Sequence, residues 1–301
     1  MTVMRLPGFA SATSSDGGPA VRPGSANKSI NTQVERRMEL KTDRMIAEKD
    51  GGIGWMIYNN PARRNAVNLL MREAVAQILE AYGKDDDVRV LVIRGAGDKS
   101  FVSGADISEF KDRRFDAKAE EAYQAAVKRS QQAMEAFDKP VIAMIQGYCI
   151  GGGVNVALEA DIRIAADNST FAVPAARLGL GYGYGALKRL VDVVGPAFAK
   201  EILFTARRFD AARALAMGLV NCVVPVGELE ATVRQYAAEI AANAPLTIKT
   251  AKAAINAIAK DPADRDLAKI EAMTKACFDS ADYAEGHKAF MEKRKPVFTG
   301  R

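Results

Sequence analysis

Two short loop segments of this chain indicate both its fold and its chemistry. They read Phe101-Val102-Ser103-Gly104-Ala105-Asp106-Ile107 and Gly147-Tyr148-Cys149-Ile150-Gly151-Gly152-Gly153. Each follows an apolar run typical of a β-strand, and the glycines leave backbone N–H groups accessible. Two such loops can direct two amide donors at one oxygen atom, an arrangement that stabilises an enolate or a tetrahedral anion. The second loop leads into an apolar stretch, so we expect Gly152 to begin a helix, where free N–H groups favour an anion.

The composition of the chain is that of a globular protein with a small excess of positive charge. Its 301 residues are 49% hydrophobic, which is enough for one large domain or for one domain with appendages. The formal net charge is +5, and the basic residues are scattered rather than interleaved with aromatic ones. We therefore expect no nucleic-acid partner, and a small ligand that carries phosphate suits the charge better.

The cysteine and histidine content limits which kinds of disulfide, metal site and catalytic triad the chain can contain. The three cysteines, Cys149, Cys222 and Cys277, are far apart and odd in number, which argues against a disulfide framework and favours a reducing, cytoplasmic location. His287 is the single histidine, so we expect no metal site and no ordinary Ser-His-Asp triad. The chain has no apolar run of roughly 18 residues, which predicts no membrane partner.

The pattern along the chain predicts three regions. Residues 1–40 are dominated by Ser, Gly, Pro and Ala and are predicted to form a disordered leader, either a tail or an organelle transit peptide. Residues 41–190 alternate β-like and helical stretches, starting with a hairpin over 45–58, and predict an α/β core. Residues 191–301 read almost entirely as helices, whose apolar stripes must be covered by the core or by another subunit.

Five motifs resemble those of the crotonase family, the enoyl-CoA hydratases and isomerases. They occur in the family's order, from about Met45 to the C-terminus, at residues 60–66, 101–107, 147–153, 213–220 and 285–296. Any single glycine-rich turn is a weak signal, whereas five matches in order are specific. The resemblance implies an α/β fold in which ββα turns form a spiral core, followed by a C-terminal helical trimerisation region. It also implies self-association to a trimer or a hexamer.

The resemblance further implies an acyl-coenzyme A thioester as substrate, with coenzyme A as part of that substrate rather than as a separate cofactor. It assigns the thioester oxygen to the backbone N–H groups of Ala105 and Gly152. Other positions are implied to contact the coenzyme A portion: Arg64 near the nucleotide end, Asp106 and Ile107 beside Ala105, and Phe290 and Lys293 in a neighbouring subunit's site.

Two positions depart from the family's pattern. Its hydratases carry one glutamate two residues after the glycine run and another after a proline, and this chain has Asn155 and Ala175 there. Hydration of a conjugated thioester needs a base for water and an acid for Cα, which an amide and a methyl group do not supply. Tyr182 matches a tyrosine of the family's methylmalonyl-CoA decarboxylases, so Tyr182 and Asn155 are our remaining candidates for catalysis. We expect Glu159 instead to pair with a nearby cation.

Three functions stay open at this point. The first is an enoyl-CoA hydratase or isomerase type of lyase. The second is an acyl-CoA decarboxylase or thioester hydrolase, which the missing glutamates favour chemically because loss of CO2 forms an enolate without a strong base. The third is an acyl-CoA binding protein without catalysis.

Overall fold

The computed structural model of the protein describes residues 37–106 and 117–301. Ile107 and all but the last few residues of the predicted leader lie outside this description. The strands are β1 Met45–Asp50, β2 Ile53–Tyr58, β3 Val90–Gly95, β4 Ser100–Val102, β5 Val141–Ile145, β6 Tyr148–Ile150, β7 Ile162–Ala166, β8 Thr170–Ala172, β9 Phe209–Asp210 and β10 Cys222–Val224. The helices are α1 Leu69–Lys84, α2 Ala117–Ala136, α3 Gly152–Leu158, α4 Ala175–Leu178, α5 Tyr184–Thr205, α6 Ala211–Ala216, α7 Leu229–Ala241, α8 Pro245–Ile258, α9 Leu267–Phe278 and α10 Ala281–Met291.

The strands form two sheets. The larger sheet has the order β1-β2-β3-β5-β7-β10, and the smaller has the order β4-β6-β8-β9. In the larger sheet β1 is antiparallel to β2, which confirms the predicted hairpin, and the remaining pairs are parallel. In the smaller sheet only the last pair, β8 with β9, is antiparallel.

A repeating unit generates this architecture. The chain passes through one strand of the larger sheet, one strand of the smaller sheet and then a helix, in the orders β3-β4-α2, β5-β6-α3 and β7-β8-α4. Successive units stack side by side, because strands at equivalent places pair in parallel. This is the ββα spiral of the predicted fold class. The stacking also makes the loops that follow β4 and β6 neighbours.

The larger sheet is covered on both faces, which explains its nearly continuous apolar strands. In β3, Leu91 and Ile93 face the helix α1, while Val90 and Val92 face the opposite layer. That opposite layer includes Leu229, Val233 and Ala237 of α7, all of them buried. Because alternate residues of a strand point to opposite faces, each strand contributes to two hydrophobic clusters.

The predicted boundary between residues 190 and 191 needs correction. It falls inside α5, which runs from 184 to 205 and bends at Gly195, where φ is +74°. The following residues are also not exclusively helical, because β9 and β10 complete the two sheets. These strands have two and three residues, which is too short for a periodic signal in the sequence. The purely helical part begins only with α7.

The last three helices leave large apolar side chains exposed. Among them are Ile255, Ile258, Phe278, Tyr283 and Phe290, which are 55–80% exposed. An exposed apolar surface of this kind marks an interaction site. Coverage of these residues by another subunit stays a prediction. In the part of the chain that the structure describes, no helix combines the length and the apolar character needed to cross a membrane.

Candidate active site

The two glycine-rich loops meet at one narrow gap. A methyl group built on Gly152 would lie 3.4 Å from the Cα of Gly104 and 3.7 Å from the amide nitrogen of Ala105. A methyl group built on Gly104 would lie 3.5 Å from the amide nitrogen of Gly152. Both candidate donors therefore border the same small space, although they are 47 positions apart in the sequence.

Both amides are left without an acceptor among the described residues. Val67 pairs with the first loop through Gly104 and Asp106: its N–H donates to the Gly104 oxygen at 2.8 Å, and the Asp106 N–H donates to its oxygen at 2.9 Å. Neither of these two hydrogen bonds involves the N–H of Ala105, which lies between Gly104 and Asp106 in the chain. Gly152 is the first residue of α3, so its N–H has no partner within the helix. A bound oxygen atom would satisfy both groups.

Close packing explains why the second loop consists of glycines. A Cβ atom on Gly153 would lie 1.9 Å from the carbonyl oxygen of Val102 in β4. Gly151 and Gly104 adopt φ values of +57° and +104°, in the region that side chains disfavour. The loops approach as closely as they do because neither carries a side chain at these points.

Asn155, Tyr182 and Ala175 differ in their surroundings. Asn155 is three residues after Gly152 in α3, and Tyr182 is half-buried against the main core. Burial raises the pKa of the Tyr182 phenol, and the neighbouring Asn155 side chain offsets part of this shift. Ala175 is 7% exposed and belongs to the hydrophobic core. Tyr184, the first residue of α5, is 76% exposed.

The carboxylates near the site are already engaged in ion pairs. Glu159, at the C-terminal end of α3, is 8% exposed and lies 3.3 Å from the guanidinium of Arg189, as predicted. Burial raises its pKa, and the neighbouring arginines lower it by less. Asp106 is 4% exposed, with Oδ1 3.7 Å from Nη1 of Arg63. Within residues 37–106 and 117–301, no three His, Cys, Asp or Glu side chains converge on a point that could hold a metal ion.

The guanidinium group of Arg64 packs on the aromatic ring of Tyr148, beside the site. Its guanidinium carbon is 4.9 Å from the centre of the Tyr148 ring, and that of Arg208 is 5.6 Å from the same centre. Tyr148 itself is half-buried. Arg208 was not among the predicted site residues. Its position depends on the pairing of β6, β8 and β9, which no local pattern reveals.

Phe290 and Lys293 lie in another part of the molecule. Phe290 is 80% exposed and lines a cavity of about 630 Å³ between α8, α9 and α10. Lys293 is exposed just after α10, with φ at +54°. The structure of one chain thus brings together Ala105 and Gly152, with Asn155 three residues further along α3, but leaves Phe290 and Lys293 on an outer surface. Their contact with a neighbouring subunit's ligand stays a prediction.

Comparison with known proteins is consistent with this arrangement. Residues 48–301 match the family model described as enoyl-CoA hydratase/isomerase. The chain belongs to this family, and its fold is the crotonase fold.

Similar proteins include both hydratases and a decarboxylase. A short-chain-enoyl-CoA hydratase from Clostridium acetobutylicum is 36% identical over 262 residues, covering 85% of this chain and 97% of that protein. The methylmalonyl-CoA decarboxylase of Escherichia coli is 33% identical over 246 residues, covering 81% and 93%. A crystal structure described as an enoyl-CoA hydratase/carnithine racemase from Magnetospirillum magneticum has a TM-score of 0.80 and 39% identity, covering 86% and 97%.

Proposed function

We propose that this protein is an acyl-coenzyme A thioester enzyme that stabilises an enolate-type anion with the backbone amides of Ala105 and Gly152. One observation carries the proposal: both amides border a single gap, and neither has an acceptor in the described residues. As the enolate forms, negative charge grows on the thioester oxygen, and fixed donors stabilise it without reorganisation. Loss of one such donor costs about 100- to 1000-fold in rate in other enzymes.

Coenzyme A enters this proposal as part of the substrate. Arg64 and the loop of Ala105, Asp106 and Ile107 would hold the coenzyme portion, and Phe290 and Lys293 would reach it from a neighbouring subunit. The similarity to acyl-CoA enzymes along most of the chain supports this choice of substrate class.

Hydration of an enoyl thioester is the reaction named for most of the similar proteins, but the site lacks its usual chemistry. Water must lose a proton as it adds to Cβ, and Cα must gain one. The Asn155 amide can orient a water molecule but cannot take its proton at neutral pH. Ala175 contributes only a methyl group. The carboxylate of Glu159 is committed to Arg189.

Decarboxylation of a malonyl-type thioester is the second candidate, and the presence of Asn155 and Ala175 in place of the two usual carboxylates favours it. In this reaction the bond from Cα to the carboxylate breaks, CO2 leaves, and the electron pair moves to the thioester oxygen as an enolate. Solvent then protonates Cα. The Tyr182 hydroxyl and the Asn155 amide supply donors for the departing carboxylate, and no base is needed.

Substrate assays separate these candidates. The protein is incubated with crotonyl-CoA, and loss of the conjugated-thioester absorbance is followed; methylmalonyl-CoA is then offered, and CO2 is measured. Release of free thiol reports thioester hydrolysis. Turnover of one of these substrates supports the enzyme proposal and selects the reaction. Tight binding of every thioester without turnover would instead establish a binding protein.

A pair of double variants tests whether the missing carboxylates determine the reaction. Asn155→Glu with Ala175→Glu restores an acid and a base, and we expect measurable hydration of crotonyl-CoA. Asn155→Gln with Ala175→Gln is the matched control, since it has the same shape without an ionisable group. If both double variants bind crotonyl-CoA and neither hydrates it, the absence of glutamate is not what limits hydration.

We also propose that the exposed apolar side chains of α8, α9 and α10 are covered by self-association to a trimer or a hexamer. Sedimentation equilibrium gives the assembly mass directly. A monomer at micromolar concentration would contradict this part of the proposal.

The three cysteines are free in the structure, which supports a reducing, cytoplasmic location.

A further inference from the structure

One buried side-chain amide joins two segments that meet beside the candidate site. The Asn65 side chain is fully buried, and its oxygen accepts from the Asn60 N–H at 2.9 Å. Its Nδ2 group donates to the carbonyl oxygens of Ala96 and Ser100, at 3.0 Å and 2.7 Å. Ser100 is the first residue of β4, the strand that leads into the first glycine-rich loop. Asn65 therefore holds the beginning of the segment that carries the Ala105 N–H.

The same amide is packed tightly against the end of β3. A Cβ atom on Gly95, the last residue of that strand, would lie 2.6 Å from Nδ2 of Asn65 and closer still to the carbonyl oxygen of Ser100. Real Cβ atoms essentially never approach that closely, so the amide reaches Ser100 only because Gly95 has no side chain. The close packing fixes the Asn65 side chain in addition to its hydrogen bonds.

Val67, two residues after Asn65, holds the rest of the same loop. Its N–H donates to the Gly104 oxygen at 2.8 Å, and its oxygen accepts from the Asp106 N–H at 2.9 Å. These two hydrogen bonds form a parallel bridge between Val67 and Ala105, in which the Ala105 N–H takes no part. The Asn65 side chain and the Val67 backbone thus hold the loop at its beginning and on both sides of Ala105.

The backbone of the turn before Val67 suits asparagine. Arg64 and Asn65 have φ values of +53° and +56°, a region that side chains disfavour. Asparagine is among the residues that adopt it most readily, because its short polar side chain can form local hydrogen bonds. The bond from the Asn60 N–H to the Asn65 oxygen is of this local kind. Uncommon backbone that the surroundings hold in place is concentrated at functional sites.

We infer that Asn65 is a positioning residue that sets the place and direction of the Ala105 N–H, acting through Ser100 and Val67. The inference rests on the proposed function, because the placement of this amide matters for catalysis only if the amide meets a reacting oxygen. Asn65 does not touch the substrate, since its Nδ2 group is already used in two hydrogen bonds within the protein. A preorganised donor stabilises charge only while its support keeps it in place, and a displacement of about 1 Å can cost on the order of 100-fold in rate.

The test compares two buried asparagines of the same turn. Asn65→Asp keeps the size of the side chain and the acceptor for the Asn60 N–H, but it removes the donor to Ser100. Asn60→Asp is the matched control, because the Nδ2 group of Asn60 donates to the Ala66 oxygen at 3.0 Å rather than to β4. Both variants lose buried hydrogen bonds, so we expect both to unfold at a lower temperature than the parent. Only Asn65→Asp is expected to disturb the Ala105 N–H.

Two measurements distinguish positioning from a role in stability alone. The first is kcat and KM on the thioester that the parent turns over, at a temperature where every variant is folded. For Asn65→Asp we expect kcat to fall by about 10- to 100-fold with KM within about twofold of the parent, and for Asn60→Asp we expect the parent values. The second is a crystal structure of each variant. The Ala105 nitrogen should move by about 0.5 Å or more relative to Gly152 in Asn65→Asp, and stay in place in Asn60→Asp.

A parent rate and an unmoved Ala105 nitrogen in Asn65→Asp would overturn the inference, and so would an equal loss of kcat in Asn60→Asp. If Asn65→Asp does not fold, Asn65→Gly takes its place, because glycine adopts a positive φ without strain. If neither variant folds while Asn60→Asp does, Asn65 serves the fold alone and the inference is wrong. A displaced Ala105 nitrogen in Asn65→Asp, together with a parent that turns over no thioester, supports the positioning role and contradicts the proposed function.

Discussion

Gly153→Ala is the substitution that most directly disturbs the spacing of the two loops. The added Cβ atom would lie 1.9 Å from the carbonyl oxygen of Val102, whereas contacts under 3.0 Å are essentially never observed for real Cβ atoms. The start of α3 and the end of β4 must therefore separate by about 1 Å, a displacement that can cost on the order of 100-fold in rate at an active site. The overlap also lowers the free energy of unfolding, by about 1–3 kcal/mol.

The assay is kcat/KM on the thioester that the parent protein turns over, together with a thermal unfolding curve for each variant. Gly227→Ala is the matched control, because a methyl group there meets no atom within 4 Å. We expect the control to keep both its activity and its stability. A Gly153→Ala protein that folds and retains kcat/KM within about twofold of the parent would refute the reasoning from loop spacing.

A second variant keeps this test informative if Gly153→Ala fails to fold. Gly152→Ala places its methyl group in ordinary contact, 3.4 Å from the Cα of Gly104 and 3.7 Å from the Ala105 nitrogen. The fold tolerates this atom, but it occupies space at the shared gap. We expect native stability with a loss of at least about tenfold in kcat/KM, from poorer placement of the oxygen. Full activity in Gly152→Ala would mean that the gap does not hold the reacting group.

Further predictions concern single side chains. Tyr182→Phe is expected to lower kcat by about tenfold with little change in KM, as for a lost hydrogen bond to the reacting group, whereas Tyr184→Phe, at an exposed position, keeps the parent rate. Burial raises the pKa of Glu159 in the folded state, so the parent protein loses stability relative to Glu159→Gln as the pH rises through that pKa. Urea unfolding at pH 5 and pH 7 measures this difference. Glu135→Gln is the control, because Glu135 is the more exposed partner of Arg189. Burial also raises the pKa of the Cys149 thiol, so iodoacetamide should label it only after unfolding, and labelling in the native protein would contradict its buried position.

Much of the fold follows from local patterns in the sequence. The hairpin of β1 and β2 and the long helices are predicted because their apolar residues recur at the period of a strand or a helix over six or more positions. β9 and β10 are not predicted, because two- and three-residue strands exist only through their pairing with β8 and β7. Tertiary contact, rather than local preference, determines such short segments.

Some residues of the candidate site are likewise predictable from the sequence, and others are not. Glycine runs after apolar stretches point to Ala105 and Gly152, since a close approach of backbones requires residues without side chains. The pairing of Glu159 with Arg189 follows from the general cost of an unpaired buried charge. Arg208 and Tyr148 escape sequence reasoning, because their contact joins residues that meet only across the smaller sheet.

The central claim is that two backbone amides polarise a bound thioester carbonyl. Infrared difference spectroscopy with a thioester labelled with ¹³C at the carbonyl carbon measures this polarisation directly. The account predicts that the C=O stretching frequency of the bound thioester falls well below its value in water, and that Gly153→Ala reverses most of the shift. A carbonyl frequency that is the same when the thioester is bound to the parent protein as when it is free in water would contradict the claim.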